Sequence, residues 1–225
     1  MKSHNKKIVI FDLDGTILDT IGDLAAAVNK AITHYGFEKR SVDEVKGFIG
    51  NGSLMLIRRA IGDESSERFG DEYVKEVRER FREAYLDCKF DTTRPYEGII
   101  ELFDELEAEG ITVAVVTNKD SNAASEMLDH YFGARIKAVR AVSADGERKP
   151  DPKLTLSLLE ELNFTPEDAI FVGDGMADLQ VSKNANIDFI PVGYGYTSPE
   201  KLFFESGTKP AESVYALSER INECL

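Results

Sequence analysis

Two aspartates, Asp12 and Asp14, end a short apolar run near the start of the chain, and Gly15 and Thr16 follow them at once. The run Ile8–Phe11 predicts a buried strand. Residues two apart in a strand share a face, so both carboxylates can point into one site. Open α/β sheets bind their ligands at this end of the strands. One carboxylate can therefore attack a substrate while its neighbour transfers protons.

Further polar residues of matching chemistry stand at other predicted strand ends and helix starts. Thr117 offers a hydroxyl group and Lys149 a compact positive charge, and both can bind the oxygens of an anion. Asp174 and Asp178 add two carboxylates. Hard oxygen ligands without histidine or thiolate partners suit Mg²⁺. This combination favours a site that holds a metal ion and an anion together.

Short apolar runs recur along the chain and predict buried strands, which must position these residues. The runs are Ile8–Phe11, Thr112–Thr117, Ala169–Val172 and Phe189–Val192. Amphipathic segments with helical spacing lie between them, around residues 99–106 and 154–162. Because strands and helices alternate, we predict an α/β fold with a Rossmann-like parallel-sheet core and helices on both faces. Gly193–Tyr196 is predicted as a loop after the last strand, near the mouth of the expected site.

The pattern changes between the first strand and Arg94, where we predict helices and no strand. The helices are Asp19–Tyr35, Ser53–Ile61 and Asp71–Cys88, with breaks at Gly36, Gly50–Gly52 and Gly62. An all-helical block inserted after the first strand of an α/β core is expected to form a separate cap. We therefore predict an α/β core of residues 1–17 and 95–225 and a small helical cap of residues 18–94.

The charge balance restricts the partners of the protein. The formal net charge is −14, which disfavours nucleic acid and anionic membrane surfaces. An anionic substrate would need a metal ion, a lysine or backbone N–H groups at the site to offset this negative charge.

Cys88 and Cys224 cannot form a disulfide framework, and no apolar run approaches membrane-spanning length. We expect a cytoplasmic protein, monomeric or homodimeric, whose partner is a small molecule.

Four segments, in this order, resemble the motifs of the haloacid dehalogenase-like (HAD) phosphohydrolases. They are Phe11–Thr16 (FDLDGT), Val115–Asn118 (VVTN), Lys149–Pro152 (KPDP) and Val172–Asp178 (VGDGMAD). The resemblance covers residues 7 to 195 and implies a HAD-like fold. It also implies a hydrolase, specifically a phosphatase that cleaves a small phosphorylated metabolite through an aspartyl-phosphate intermediate.

The resemblance gives each motif residue a role in that reaction. Asp12 is expected to be the nucleophile and Asp14 the general acid and base, while Thr117 and Lys149 bind the phosphoryl group. The turn through Leu13 and Gly15, together with Asn118, is expected to contact the substrate, since backbone N–H groups of such a turn can form an anion nest.

A magnesium ion is the implied cofactor. Resemblance to the family implies that Asp12, the backbone carbonyl of Asp14 and Asp174 bind Mg²⁺ directly, with Asp178 acting through a water molecule. The ion is expected to bridge oxygens of the nucleophile and the phosphate.

Other features bear on the substrate. Dehalogenases of the family lack an acid at the position of Asp14, so this acid favours a phosphatase. The sugar-phosphate mutases carry a histidine where this chain has Leu24, which argues against a mutase. The cap segment with Gly50, Asn51 and Gly52 resembles that of the phosphoglycolate phosphatases, which makes a phosphoglycolate phosphatase-like activity the preferred prediction. Pyrophosphatase, sugar-phosphate phosphatase and nucleotide phosphatase activities remain alternatives, followed by a phosphomutase or a non-catalytic phosphate-binding regulatory module.

Overall fold

The computed structural model describes residues 6–143 and 146–225. The chain divides into two compact units, one of Met1–Leu18 and Pro95–Leu225 and one of Asp19–Arg94. Residues 1–5 and 144–145 of the predicted core lie outside the described residues. Within the described ranges, no helix is both long enough and apolar enough to cross a membrane.

The central element is a parallel sheet. The strands of the described chain are β1 (Ile8–Phe11), β2 (Leu18–Asp19), β3 (Arg94–Pro95), β4 (Thr112–Asp120), β5 (Ala138–Val142), β6 (Ala169–Gly173) and β7 (Asp188–Pro191). Five of them form one sheet in the order β5-β4-β1-β6-β7, and each neighbouring pair is parallel. This arrangement confirms the predicted α/β class.

Helices connect the strands and make up most of the second unit. They are α1 (Ile21–His34), α2 (Val42–Phe48), α3 (Ser53–Ile61), α4 (Asp63–Cys88), α5 (Ile99–Ala108), α6 (Ser121–Tyr131), α7 (Lys153–Glu161), α8 (Met176–Ala185), α9 (Pro199–Ser206) and α10 (Val214–Asn222). Short 3₁₀ turns cover Gly133–Arg135 and Pro166–Asp168.

Apolar side chains of β1 cover both faces of the sheet. Ile8 and Ile10 belong to a buried cluster that includes Leu158 and Leu159 of α7. Phe11 points to the opposite face, where its ring centre lies 5.1 Å from that of Phe103 in α5. Because every residue of β1 is buried, the strand reads as a continuous apolar run, as is typical of a parallel sheet covered on both sides.

Two strands of the core differ from the predicted pattern. β4 runs three residues past its predicted end at Thr117, through an irregularity in its pairing with β5 between Val116 and Asp120. β5 itself was not predicted. It lies at the edge of the sheet and its middle residues are only partly buried, with Arg140 at its centre, so the sequence lacks the apolar run of an inner strand.

The second unit is helical, with buried contacts supplied by Val28 of α1, Ile57 of α3 and Val77 of α4. α2 was not predicted, although Ser41 and Glu44 form a capping box at its start, which is a readable signal. The prediction that residues 18–94 contain no strand was wrong at both ends, because β2 and β3 pair as a two-residue ladder. Strands this short leave no periodic pattern in the sequence.

Candidate active site

The candidate site forms at the carboxyl ends of three adjacent strands. Asp12 directly follows β1, and its backbone N–H donates to the Val172 carbonyl of β6 at 2.9 Å. Asp174 directly follows β6, while Thr117 lies in the last part of β4 on the other side of β1. The strand order therefore places the predicted nucleophile between the predicted phosphate-binding hydroxyl and a predicted metal ligand.

Lys149 joins two of the aspartates. Its Nζ lies 2.7 Å from Asp12 Oδ1 and 2.6 Å from Asp178 Oδ1, and it also donates to the Val116 carbonyl at 2.9 Å. The side chain is 2% exposed. Burial alone would lower the pKa of Lys149, but the negative charges of Asp12 and Asp178 outweigh that effect and raise it. The ammonium group is therefore a fixed positive charge inside the site.

Of Asp174 and Asp178, Asp174 has the more strongly raised pKa. Burial, followed by the charges of Asp178 and Asp12, raises the pKa of Asp174 to about 8. Its carboxylate accepts a hydrogen bond from the Tyr196 N–H at 2.6 Å and another from Thr16 Oγ1 at 3.3 Å. These donors only partly offset the burial and the repulsion, so ionisation of this carboxylate carries an electrostatic cost.

Asp12, Asp174 and Asp178 form a cluster that fits a divalent cation. Each offers a carboxylate oxygen, and these oxygens lie within 4.8 Å of one another. Burial also raises the pKa of Asp178, helped by the charge of Asp12 and opposed by Lys149. Three acids this close, with one lysine among them, would be stabilised by an additional positive charge. The donor set is all oxygen, which matches the preference of hard cations.

Asp14 has its own lysine, which the sequence reasoning missed. Lys119 Nζ donates to Asp14 Oδ1 at 2.8 Å and lies 3.1 Å from Oδ2. The two side chains are 5% and 13% exposed. A signal existed in the sequence, since Thr117 and Lys119 are two residues apart and share a face if β4 continues. The prediction ended that strand at Thr117 and so left Lys119 outside it.

A tight turn links Asp12 to the start of the second unit. The Leu13 carbonyl accepts hydrogen bonds from the N–H groups of Thr16, Ile17 and Leu18. Gly15 has φ of +83°, and a Cβ there would stand 2.6 Å from an Asp174 carboxylate oxygen. Glycine is required at this position both for the left-handed backbone and for the close approach.

Thr117 and Asn118 both contact other parts of the site. Thr117 Oγ1 accepts from the Lys119 N–H at 3.2 Å, which leaves its own hydroxyl hydrogen for an acceptor. The Asn118 amide bonds the backbone of Lys149 on both sides, as donor to its carbonyl at 3.0 Å and as acceptor from its N–H at 2.8 Å. The structure thus shows Asn118 holding Lys149 in place.

The predicted substrate loop of the cap belongs to the second unit, between α2 and α3. Gly50 and Gly52 have φ of +108° and +84°, which explains the two glycines. Asn51 Oδ1 accepts from Arg59 Nη2 at 2.8 Å, and Arg59 Nη1 donates to the Phe48 carbonyl at 2.8 Å. Arg59 therefore orders the loop within its own unit.

The loop after β7 contributes more than the sequence predicted. Besides the contact of Tyr196, Tyr194 donates its hydroxyl to the Thr16 carbonyl at 3.1 Å. A Cβ on Gly195 would overlap the Cβ of Asp174 and the Gly15 carbonyl oxygen. The loop packs against the predicted metal ligand, and no local sequence pattern could have shown this long-range contact.

The parallel sheet, the four motif segments at its carboxyl edge and the buried carboxylate cluster define a class of protein. The profile of the family described as haloacid dehalogenase-like hydrolase matches residues 9–192. The chain belongs to this family, as its motifs predicted.

Several individual proteins of known sequence or structure are similar to this chain. The chain is 31% identical over 204 residues to Phosphoglycolate phosphatase 1 of Pseudomonas aeruginosa, covering 90% of this chain and 75% of that protein. It is 31% identical to a phosphoglycolate phosphatase of Vibrio parahaemolyticus, covering 97% of both chains. A crystal structure from Lactobacillus delbrueckii subsp. bulgaricus, provisionally named a phosphoglycolate phosphatase, superimposes with a TM-score of 0.90 at 28% identity, covering 96% of this chain and 98% of that one.

Proposed function

We propose that the protein is a phosphatase that hydrolyses a small phosphate monoester through an aspartyl-phosphate formed on Asp12. The observation that carries this proposal is the position of Asp12, which lies beside Lys149 and within one carboxylate cluster with Asp174 and Asp178. Asp14, two residues on, is a second carboxylate held by a different lysine. A nucleophile and a separate proton carrier are what the two half-reactions require.

In the first half-reaction, an oxygen of Asp12 attacks phosphorus and the bond from phosphorus to the ester oxygen breaks. Asp14 gives its proton to that oxygen, so the substrate leaves as an alcohol. In the second half-reaction, water attacks the phosphorus of the aspartyl-phosphate while Asp14 takes the proton of the water. Inorganic phosphate leaves and the Asp12 carboxylate is restored.

Fixed charges and dipoles of the site stabilise the transferring phosphoryl group. Lys149 supplies a buried positive charge, and Thr117 can donate its hydroxyl hydrogen to a phosphoryl oxygen. The backbone N–H group of Leu13, next to Asp12, supplies a further dipole, whereas that of Gly15 donates to the Leu18 carbonyl at 2.9 Å. Because phosphoryl transfer depends chiefly on positioning and charge, loss of Lys149 should harm the reaction about as much as loss of a proton carrier.

We assign Mg²⁺ to the carboxylate cluster as the working cofactor. Asp12, Asp174 and the backbone carbonyl of Asp14 would hold the ion, with Asp178 acting through water. When bound, the ion offsets the negative charge that the cluster and the phosphate bring together. The raised pKa of Asp174 supports this assignment, since it reflects burial and then the charges of Asp178 and Asp12, and a cation would offset both effects.

The preferred substrate is 2-phosphoglycolate, in agreement with the names of the similar proteins. In this proposal residues 19–94 act as a cap, and the Gly50–Gly52 loop contacts the leaving group. Reaction in the cytoplasm belongs to the same proposal, because Cys88 and Cys224 are both free thiols. A monomer or a homodimer would suit the reaction.

The test is a phosphate-release panel with Asp12→Asn and a matched exposed variant, Asp104→Asn, whose carboxylate pairs with Arg135 on the surface. The panel contains 2-phosphoglycolate, pyrophosphate, hexose phosphates and nucleoside monophosphates, each with Mg²⁺ and with a chelator. We expect release by the parent and Asp104→Asn proteins, strongest for 2-phosphoglycolate and lost with the chelator, and none by a folded Asp12→Asn protein. Parental release by Asp12→Asn would disprove the nucleophile, while preference for hexose phosphates would disprove only the substrate.

A further inference from the structure

Lys119 is a buried positive charge beside Asp14, the proposed proton carrier. Its Nζ lies 2.8 Å and 3.1 Å from the two oxygens of Asp14, and its side chain is 5% exposed. A buried lysine is uncommon, and it must be paired to be tolerated. The cation therefore belongs to the site rather than to the protein surface.

The two lysines of the site serve different carboxylates. Lys149 contacts Asp12 and Asp178, where the proposed mechanism places the phosphoryl group. Lys119 contacts Asp14, which transfers the proton to the leaving oxygen. The geometry thus provides one cation on the phosphoryl side of the scissile bond and another beside the leaving-group side.

The leaving group must come close to Lys119. A general acid works within about 3 Å of the oxygen that it protonates. Lys119 Nζ already contacts the carboxylate of Asp14, so the leaving oxygen lies within about 6 Å of the ammonium group. A substituent one carbon beyond that oxygen can reach Nζ directly.

An ammonium group can also bind two carboxylates at once. Lys149 does so in this site, at 2.7 Å from Asp12 and 2.6 Å from Asp178. The positive charge of Lys119, which is already paired with Asp14, can likewise attract a carboxylate of the substrate. Because the net charge of −14 disfavours anions at long range, a local cation favours the binding of a substrate with negative charge on its leaving group.

We propose that Lys119 is a specificity residue that binds a carboxylate on the leaving group, one carbon away from the ester oxygen. This inference rests on the proposed function and deepens it, because it selects phosphate esters of short 2-hydroxy acids over neutral esters of the same size. Lys119 then contacts the substrate itself, and its contact with Asp14 aligns the proton donor with the bound leaving group.

The test compares 2-phosphoglycolate with 2-hydroxyethyl phosphate, which has a neutral CH₂OH in place of the carboxylate. Three variants are assayed for kcat/KM on both esters: Lys119→Met, Lys119→Arg, and the control Lys137→Met, whose exposed lysine pairs with Glu107. Loss of Asp14 alignment would affect both esters alike, since both release a primary alcohol. The ratio of the two kcat/KM values therefore isolates the carboxylate contact.

We expect the parent to favour 2-phosphoglycolate and Lys119→Met to reduce that ratio by about tenfold or more, as for loss of a hydrogen bond to a charged group. Lys119→Arg should keep the ratio within about threefold, and Lys137→Met should not change it. An unchanged ratio in an active Lys119→Met protein overturns this inference and leaves the proposed function intact. No phosphate release from either ester by the parent protein overturns this inference and the preferred substrate, and no release from any compound of the panel overturns the proposed function as well.

A second measurement covers the case in which Lys119→Met does not fold. Glycolate and ethylene glycol are compared as inhibitors of the parent protein, with 2-hydroxyethyl phosphate as substrate. We expect glycolate to inhibit competitively at a concentration about tenfold lower or more, because only glycolate carries the carboxylate. Equal inhibition by the two alcohols would overturn the inference without any variant.

Discussion

Asn118 holds the backbone of Lys149 from both sides with a single amide group. The Lys149 N–H donates to Asn118 Oδ1 at 2.8 Å, and Asn118 Nδ2 donates to the Lys149 carbonyl at 3.0 Å. Both residues are buried. Since Lys149 is fixed at the backbone as well as by the ion pairs of its side chain, its ammonium group has little freedom to move away from Asp12.

Replacement of Asn118 by alanine should weaken phosphate release by about tenfold to a hundredfold, because Lys149 loses its backbone support and leaves two buried polar groups unpaired. The matched control is Asn184→Ala. The Asn184 amide donates to the Pro150 carbonyl of the same segment at 2.8 Å, but in an exposed position. The control should stay within about threefold of the parent in kcat/KM. Similar losses in both variants would show that the whole segment, rather than Lys149, responds to the change.

The sequence was sufficient to locate the main parts of this site. Asp12 and Asp174 each follow an apolar run, and a run of buried residues that ends in a carboxylate is a local pattern. Lys149 and Asp178 were found through motif resemblance, and the structure brings their side chains to 2.6 Å from each other. Asp12 and Asp174 are predictable because the strand end alone determines where their side chains go.

Other parts depend on contacts between distant segments. Lys119 was missed because the predicted strand ends at Thr117, whereas β4 continues through an irregular pairing with β5 to Asp120. Its partner Asp14 lies 105 residues away in the sequence. In the sequence Gly195 resembles an ordinary loop glycine, and only the structure shows that it packs against Asp174. β5 was missed because an edge strand need not be apolar throughout. These features result from tertiary packing, which no local pattern records.

Divalent cations should stabilise the protein through the carboxylate cluster. Burial and the charges of Asp178 and Asp12 raise the pKa of Asp174 to about 8, so a bound cation relieves repulsion in the folded state alone. At a concentration of Mg²⁺ about 100 times its Kd, we expect the unfolding midpoint at pH 8 to rise by about 5 to 10 °C over that in chelator. Thermal unfolding followed by circular dichroism measures this shift.

The variant for this prediction is Asp174→Asn, which removes one charge and one strong ligand from the cluster. Its midpoint should respond to Mg²⁺ much less than that of the parent, while the exposed variant Asp104→Asn should respond like the parent. If Asp174→Asn shows the full parental shift, the cation that stabilises the protein binds elsewhere.

Gly195 should not tolerate a side chain. An alanine Cβ would overlap Asp174 and the Gly15 carbonyl oxygen, so the loop or the carboxylate must move. We expect Gly195→Ala to lower the unfolding free energy by about 1 to 3 kcal/mol and to raise the Mg²⁺ concentration needed for half-maximal phosphate release. Gly47 of α2 is the control, because a Cβ there meets nothing within 4 Å. Gly47→Ala should leave the Mg²⁺ requirement unchanged and stabilise the helix by about 0.5 to 1 kcal/mol.

Asp23, near the start of α1, should stabilise the second unit in a pH-dependent manner. Its buried carboxylate accepts hydrogen bonds from the N–H and hydroxyl groups of both Thr92 and Thr93, at 2.5 to 2.9 Å. Burial would raise the pKa of Asp23, but these four donors outweigh it and lower the pKa below the model-compound value of 3.8. Asp23→Asn should therefore reduce the unfolding free energy at pH 7 by about 2 to 4 kcal/mol, since an amide accepts fewer of these bonds.

The pH dependence of that loss distinguishes the carboxylate from a purely steric effect. A lowered folded-state pKa gives stability that is present above pH 4 and is lost as the pH falls through the folded value. The difference in unfolding free energy between the parent and Asp23→Asn should therefore be largest near neutral pH and shrink below pH 4. Asp87→Asn, which removes an exposed partner of Lys30, should change the unfolding free energy by less than about 0.5 kcal/mol at either pH. A difference for Asp23→Asn that is the same at pH 3 and pH 7 would contradict the assignment.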